Sequence, residues 1–441
     1  MFDSPQREFG DVVLRSHYIS ELNESMDGRV VTIAGWVHEV RETANITFML
    51  VRDMSGIVQV IGKRGIVADD LIKSMSLPKE SVVRVKGMVR RNSEAKKGFE
   101  IVPEEIENLN PLSTKIPFEV TGKVPVELDV RLDYRYIDLR RIPTRSIFKI
   151  ESTILNTFTS IYRKKGFVQI RTPSIIAEAS EGGAELFPVR YFEKDAYMAQ
   201  SPQLYKQLAV IGGLDKVYMV VPVFRAEKSN TTYHLTESTQ MDIEMGFADD
   251  NDAIKELAYA VTSIIKAVKK ENKEELEALG IELEVPKVKI ATYTEVIEKL
   301  NEHGYAIKFG DDISREHEAG IQKVFGDAVI VREFPTSLRA FYSMPKEGNP
   351  KLSKSYDFIY KGLEISSGAQ RIHKPDMLIE ALKKRNLDPK GFEFYINAFR
   401  CGAPPHAGWS IGMERLAMRI TNSNNIRECS LFPRDRKRIT P

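Results

Sequence analysis

Cysteine is scarce in this sequence, and long apolar runs are absent from it. The two cysteines, Cys401 and Cys429, are too few for a disulfide framework or a tetrahedral metal site. No apolar stretch is long enough to span a bilayer, and the N-terminus carries no run typical of a signal peptide. We therefore expect a cytoplasmic protein that has no membrane segment.

The sequence also lacks an excess of charge of either sign. Lysine and arginine number 64, aspartate and glutamate number 62, and the formal net charge is +2. This balance excludes a global polycation, so any nucleic-acid binding must come from local basic patches. A chain of 441 residues is too long for one compact core, and we expect two or more domains.

The segment from about residue 30 to 109 predicts a β-rich domain. Its stretches of β-branched and apolar residues predict five strands, and a short helix (68–75) is predicted between the third and the fourth. This order is typical of the oligonucleotide-binding (OB) barrel, and a generic small barrel or sandwich is the alternative. The proline-rich segment 111–126 predicts a hinge.

After the hinge, the apolar spacing predicts a mixture of helices and strands. Helices are predicted over 145–165, 253–280, 376–387 and 391–400, and a strand is predicted to end at Pro173.

Two predicted hairpins carry the charged residues that suggest chemistry. In the first, Arg225 ends one strand and Asp242 lies on the next, an arrangement that suits a phosphate-bearing ligand, although a surface salt-bridge network is the alternative. In the second, Asp357 and Glu364 lie seven residues apart with a turn between them. Facing each other across paired strands, they would suit Mg²⁺ beside a triphosphate. Solvated strand carboxylates are the alternative there.

Three motifs occur in a fixed order along the chain. GFVQIRTP ends at Pro173, FRAE begins at Phe224 and is followed by HLTE and DIE, and GMER begins at Gly412. With them the chain resembles class II aminoacyl-tRNA synthetases, and specifically aspartyl-tRNA synthetases of the archaeal and eukaryotic type, over nearly its whole length. The resemblance implies an α+β fold with an N-terminal OB-fold barrel that binds the anticodon (1–112), a hinge (113–140) and a catalytic domain (141–441) of antiparallel sheet with flanking helices.

The resemblance also implies an activity. A homodimer would use ATP and Mg²⁺ to convert L-aspartate into aspartyl-adenylate and would transfer the aspartyl group to the 3′ end of tRNA(Asp), with tRNA(Asn) as an open second substrate. An asparaginyl-tRNA ligase and a non-catalytic tRNA-binding paralogue are the alternatives. A relative that adenylates without tRNA usually lacks the anticodon barrel.

The family's functional positions carry over to this sequence residue by residue. Arg225 would bridge the α-phosphate and the amino acid's carboxylate, and Arg415 would stack on adenine, so both are catalytic candidates. The ATP contacts implied besides these two are Ala226, Glu227, Tyr233, His234, Leu235, Glu364, Gly412, Met413 and Glu414. The aspartate contacts implied are Glu181, Gln203, Lys206, Arg225, Asp242, Ser367 and Arg371, and the metal ligands are Glu364, Ser367 and Asp357.

Lys206 and Arg371 are expected to select the amino acid. Two cations that converge on one pocket suit a side-chain carboxylate, and a neutral amide would leave them unpaired. Asparaginyl enzymes usually lack the lysine. Gly182 and Gly183, beside Glu181, predict a mobile loop, with a flexible turn as the alternative. Gly408, together with Gly412, is expected to let the backbone approach the nucleotide.

On the barrel, the resemblance implies five anticodon contacts. Phe48 would stack on a base, Arg41 and Gln59 would contact its edge, and His38 and Lys96 would take part in the choice of tRNA. His38 stands where relatives that reject tRNA(Asn) tend to carry tryptophan, whereas Lys96 matches those relatives. Acceptance of the second tRNA therefore stays open.

The nucleotide site departs from the family's pattern at two positions. Tyr233 stands where most relatives have an arginine, and Ser238 stands where many have an aromatic residue that stacks on adenine. Either Tyr233 or His234 then forms the adenine wall, or the nucleotide is held more loosely.

Overall fold

The computed structural model describes residues 8–9, 12–177, 186–227 and 230–441. It divides into two compact units, Met1–Val124 and Pro125–Pro441. The loop predicted at Glu181, Gly182 and Gly183 lies outside the described residues. Over the ranges given above, no helix is long and apolar enough to cross a membrane.

The first unit contains a barrel whose strands alternate between core and surface. Its elements are β1 (Glu8–Phe9), β2 (Val12–Val13), β3 (Val30–Glu42), β4 (Ile46–Arg52), β5 (Ile57–Lys63), α1 (Asp69–Lys73), β6 (Val82–Arg91) and β7 (Phe99–Asn110). Strands β3, β4, β5, β7 and β6 close in that order, and Val31, Val51, Val60 and Val85 fill the interior. A closed barrel with a helix after its third strand confirms the predicted OB fold.

The second unit has helices packed on an extended sheet. Its helices are α2 (Leu128–Asp133), α3 (Arg135–Asp138), α4 (Ile142–Lys164), α5 (Gln203–Ala209), α6 (Asp250–Glu271), α7 (Lys273–Ala278), α8 (Tyr293–Glu302), α9 (Arg315–Phe325), α10 (Pro375–Lys384), α11 (Glu393–Arg400) and α12 (Met413–Ile420). Its strands are β8 (Val168–Gln169), β9 (Ile175–Ile176), β10 (Pro188–Tyr191), β11 (Lys194–Met198), β12 (Lys216–Phe224), β13 (Glu237–Gly246), β14 (Lys289–Thr292), β15 (Ala328–Arg332), β16 (Pro345–Lys346), β17 (Asn349–Ser353), β18 (Ser355–Tyr360), β19 (Leu363–Gln370) and β20 (His406–Gly412).

The main sheet has the order β14-β15-β18-β19-β20-β13-β12-β8. Its pairs from β15 to β12 are antiparallel, and the edge pairs β14–β15 and β12–β8 are parallel. Apolar side chains from α4, α6 and α12, such as Phe158, Ile264 and Leu416, pack with Trp409 of β20 in the largest core. This core fixes β13, β19 and β20, the strands that carry the candidate site.

Two element predictions are wrong in detail. The helix predicted over 253–280 is broken into α6 and α7 at Asn272, whose backbone leaves the helical region (φ −110°, ψ 40°) and whose side-chain amide donates to Glu275. The strand predicted to end at Pro173 is limited to β8, and β9 belongs to a small sheet with β10 and β11. β8 ends four residues before Pro173, because only Val168 and Gln169 pair with β12.

Candidate active site

A cavity of about 150 Å³ opens beside the central strands β13, β19 and β20. It is lined by Arg225, Glu227, Tyr233, His234, Leu235, Ser238, Gln240, Glu364, Ile365, Ser366, Ser367, Ser410, Gly412, Glu414, Arg415 and Ile426. Most of the residues expected to contact ATP are thus brought together. Of the described residues, Met413 and Ala226 are not part of the lining, and Met413 packs into the core instead.

The two arginines of the cavity are held by the elements that precede them. Arg225 follows the last residue of β12, and its backbone N–H donates to the carbonyl of Thr236 at 2.9 Å. Arg415 lies in the first turn of α12, and its Nη1 donates to the carbonyl of Glu364 at 3.1 Å. Burial and the charge of Arg415 lower the pKa of His234, so its imidazole is neutral near pH 7. Arg225 and Arg415 place two positive charges at the cavity, which suits phosphate groups, beside the carboxyl groups of Glu227, Glu364 and Glu414.

The predicted pairing of Asp357 with Glu364 is wrong. The two-residue turn at Lys361 and Gly362 places Glu364 opposite Ile359, and a bulge between residues 358 and 359 shifts the register by one more residue, so Asp357 lies opposite Ser367. A bulge inserts an extra residue and re-aims the side chains that follow it. As a result, Glu364 and Ser367 both line the cavity although they are three residues apart on one strand.

The oxygen atoms at this bulge fit a hard cation such as Mg²⁺. Asp357 accepts a hydrogen bond from Arg339 at Oδ2, and its buried Oδ1 has no partner among the residues that the structure describes. Burial and the charge of Asp357 raise the pKa of Glu364. Within the described part of the chain there is no cluster of three or more metal-binding His, Cys, Asp or Glu side chains. Water and substrate phosphates would therefore supply the remaining ligands of a Mg²⁺ ion, as they commonly do.

Two buried cations and two buried carboxylates form a tetrad next to the cavity. Lys206 Nζ lies 2.5 Å from Asp242 Oδ1 and 3.6 Å from Glu244 Oε2. Arg371 forks onto Glu244, with Nε 2.9 Å from Oε1 and Nη2 3.1 Å from Oε2. All four side chains are at most 4% exposed. Each of the two cations expected to select the amino acid is thus paired with a carboxylate of β13.

The tetrad is connected to the cavity wall through Ser410 and occupies space that Gly408 leaves open. Asp242 accepts a hydrogen bond at Oδ2 from Ser410, which lines the cavity. Burial opposes ionisation of Glu244, but Arg371 and Lys206 lower its pKa below the ordinary value. A Cβ atom on Gly408 would lie 2.3 Å from Glu244 Oε2 and 2.3 Å from the carbonyl oxygen of Ile243, so this glycine makes room for the tetrad. At Gly412 the nearest atoms are 3.8 Å away, in the side chain of Arg415.

Gln203 and Glu181 are the remaining residues expected to bind the amino acid. Gln203 is buried, and its Nε2 donates to Gln207 at 3.0 Å, which in turn contacts His406 Nε2 at 2.8 Å. Glu181 lies outside the described residues. Glu244 lies two residues after Asp242, on the same face of β13, and pairs with both cations of the tetrad.

On the barrel, Phe48 lies on the face opposite the core residue Met49 and is half-buried. It pairs in register with Arg41, whose side chain is 68% exposed. Gln59 pairs with Leu50, two residues after Phe48, and donates to Glu100 at 2.9 Å. Phe48, Arg41 and Gln59 thus share one face of the strands.

His38 is the residue at a bulge in β3, between Val37 and Glu39. Its Nδ1 lies 2.8 Å from Nη1 of Arg52, and Arg52 also binds Glu80 at 2.7 Å in a buried pair. Because arginine can only donate, Nδ1 accepts and the proton of the neutral imidazole sits on Nε2. Lys96 is exposed in the loop between β6 and β7.

Family models match both units of the chain. Residues 127–436 match tRNA synthetases class II (D, K and N), and residues 31–109 match the OB-fold nucleic acid binding domain. The chain belongs to the class II aminoacyl-tRNA synthetases, which confirms the assignment drawn from the three motifs.

Relatives of known name cover nearly the full length of the chain. It is 46% identical to the aspartate–tRNA(Asp/Asn) ligase of Methanocaldococcus jannaschii, over 97% of this chain and 98% of that protein. It is 43% identical to the ligase of the same name from Methanothermobacter thermautotrophicus, again over 97% and 98%.

Solved structures share the fold. The asparaginyl-tRNA synthetase of Pyrococcus horikoshii, complexed with asparaginyl-adenylate, has a TM-score of 0.92 at 30% identity, covering 98% of this chain and 100% of that one. The aspartyl tRNA synthetase of Entamoeba histolytica has a TM-score of 0.87 at 32% identity, covering 97% and 93%.

Proposed function

We propose that this chain is an aspartate–tRNA ligase that activates L-aspartate with ATP and Mg²⁺ and charges both tRNA(Asp) and tRNA(Asn) in the cytoplasm. The observation that carries the proposal is its 46% identity, over 97% of its length, to a ligase named for both tRNAs. In the first step the aspartate α-carboxylate attacks the α-phosphorus of ATP and pyrophosphate leaves. In the second step a hydroxyl of the terminal adenosine of the tRNA attacks the carbonyl carbon and AMP leaves.

The chain's own residues would act by positioning and by charge. Arg225, fixed at the end of β12, would neutralise the charge that builds at the α-phosphate, and Arg415 would hold the adenine. Glu364, Ser367 and Asp357 would hold Mg²⁺, which supplies charge neutralisation on the phosphates. No side chain is required as a nucleophile, since the substrate carboxylate takes that role.

The tetrad supports aspartate as the amino acid. An arginine has five N–H donors, and the fork of Arg371 onto Glu244 uses two of them. At most three therefore remain for the side-chain carboxylate of a bound aspartate. Lys206 lies within the same buried group and adds a second cation. A neutral asparagine side chain would forgo both charge-assisted contacts.

An asparaginyl-tRNA ligase is the second candidate, and the TM-score of 0.92 to the Pyrococcus enzyme favours it. Pyrophosphate exchange into ATP separates the two without any tRNA. We expect exchange with aspartate and none with asparagine; the reverse result would replace the first candidate by the second. Loss of exchange with both amino acids, in a folded protein, would favour a non-catalytic paralogue.

The choice of tRNA is tested by charging purified tRNA(Asp) and tRNA(Asn) with labelled aspartate. His38 accepts a hydrogen bond from Arg52 at Nδ1, a contact that tryptophan cannot make because its indole only donates. Tryptophan also offers a larger stacking and blocking surface than histidine, so we expect His38→Trp to lower charging of tRNA(Asn) and to leave pyrophosphate exchange unchanged. Equal charging of tRNA(Asn) before and after the change would remove His38 from tRNA selection.

A homodimer is the proposed assembly. Apolar side chains of the first motif are exposed, among them Ile142 of α4 (43%) and Val168 of β8 (42%), and a two-fold interface would cover them. Sedimentation at micromolar concentration tests this, and a monomer there would contradict it.

A further inference from the structure

The cavity of about 150 Å³ opens to solvent, so groups beyond its lining residues can also contact a bound nucleotide. Tyr233 lies in this wall and carries a neutral phenol.

Arg315 lies directly against this tyrosine. Its guanidinium carbon is 4.1 Å from the centroid of the Tyr233 ring, a cation–π contact that holds the side chain in place. Arg315 is the first residue of α9 and comes from a part of the chain remote from the three motifs. Its guanidinium therefore places a positive charge next to the uncharged side chain of Tyr233.

The ion pair of Arg315 with Glu318 does not account for all of its donors. Nη1 of Arg315 binds Glu318, but its buried Nε has no hydrogen-bond partner within the described ranges. Burial raises the pKa of Glu318, while Arg315 and Arg415 oppose that rise. Burial thus disfavours the ionised form of Glu318, the partner of Arg315 in this ion pair.

Other arginines give this side of the cavity a positive field. Arg419, one turn after Arg415 on α12, contacts Tyr233 as well. Burial would raise the pKa of Tyr233, but Arg315 and Arg419 lower it below its ordinary value. The same field from Arg415, Arg225 and Arg315 acts on His234. Such a concentration of arginine around a polar opening suits a polyanion.

We propose that Arg315 binds the terminal phosphates of ATP and so supplies, from α9, the cation that position 233 lacks. This inference rests on the proposed function, since it concerns the nucleotide of that same reaction. Arginine suits the role because its planar fork can bind two phosphate oxygens while its face rests on an aromatic ring.

Arg315→Ala tests the proposal in aspartate-dependent pyrophosphate exchange. We expect the KM for ATP to rise about tenfold to a hundredfold, as for the loss of one or two charge-assisted hydrogen bonds, with the KM for aspartate nearly unchanged. Arg315→Lys should fall between the variant and the wild type. Lys323→Ala is the matched control, because it removes an exposed cation from the same helix.

Binding of AMP separates phosphate recognition from a structural role. AMP lacks the terminal phosphates, so Arg315→Ala should weaken binding of ATP and leave binding of AMP unchanged, as measured by calorimetry. In the double variant Arg315→Ala with Tyr233→Arg, the KM for ATP should return toward the wild-type value. Equal weakening of ATP and AMP, or an unchanged KM for ATP, would overturn the proposal. Absence of exchange in the wild type would instead overturn the proposed function.

Discussion

Replacing Arg371 with leucine removes one cation of the buried tetrad and leaves Glu244 without its bidentate partner. Arg371 is 3% exposed and Glu244 is fully buried, so the stranded carboxylate cannot be solvated. Breaking a buried ion pair of this kind costs about 3–5 kcal/mol. Lys206 Nζ remains 3.6 Å from Glu244, which partly compensates, and we expect a loss of about 3 kcal/mol in the free energy of unfolding.

The decrease in the free energy of unfolding can be measured for the second unit alone. The chain has two tryptophans, and Trp409 is fully buried in the main sheet whereas Trp36 lies in the barrel. In a Trp36→Phe background, fluorescence during urea unfolding reports on the unit that holds the tetrad, which avoids treating two units as one transition. Pyrophosphate exchange with aspartate should fall at least about a hundredfold, as expected for the loss of two charge-assisted bonds.

A second substitution separates stability from function. Arg371→Leu combined with Glu244→Gln removes both charges of the pair, and the double variant should regain much of the lost stability but none of the exchange activity. A single variant destabilised by less than about 1 kcal/mol, the range of exposed ion pairs, would refute the reasoning. A double variant no more stable than the single one would refute it too.

Three further predictions address other parts of the structure. Gly408→Ala should destabilise the second unit by about 1–3 kcal/mol, because its Cβ would overlap Glu244, whereas Gly412→Ala should be nearly neutral in the same unfolding assay. Burial raises the pKa of Glu414 from 4.5 to about 7, so the native state keeps a proton that the unfolded chain releases. The contribution of Glu414 to the free energy of unfolding should therefore fall by on the order of 3 kcal/mol as the pH rises from 4.5 to 7. The difference in stability between the wild type and Glu414→Gln, measured in unfolding curves at several pH values, should change by this amount. Phe48→Ala should weaken binding of both tRNAs by about 1–3 kcal/mol in a filter-binding assay and leave pyrophosphate exchange intact, and a change in exchange would contradict a role confined to the barrel.

The barrel and the motifs were predictable from the sequence because they depend on local patterns. Alternation of apolar residues predicted β3 to β7, and the residue types of the three motifs led to most of the cavity wall. The ion pairs that Lys206 and Arg371 form were not predictable, since their partners on β13 are set by tertiary packing. The bulge between residues 358 and 359 likewise leaves no mark in the pattern, yet it decides that Glu364 and Ser367 share the cavity.

Remote contacts were the other source of error. Arg315 lies 82 positions after Tyr233, in a segment with no motif, and only the placement of α9 brings the two together. The break at Asn272 has a similar origin, because a single asparagine is compatible with a continuing helix until its amide finds Glu275.

The mutual neutralisation of the tetrad constrains how this pocket could evolve. A lineage that exchanged aspartate for a neutral amino acid would have to discard a cation, yet removal of Lys206 or Arg371 alone strands a buried carboxylate. Replacing either cation first would lower stability before a preference for another amino acid could be selected. A second substitution, at the partner carboxylate on β13, would be needed to restore stability. The route to a new substrate therefore crosses a fitness valley, and strong sign epistasis between these four positions is the expected genetic signature.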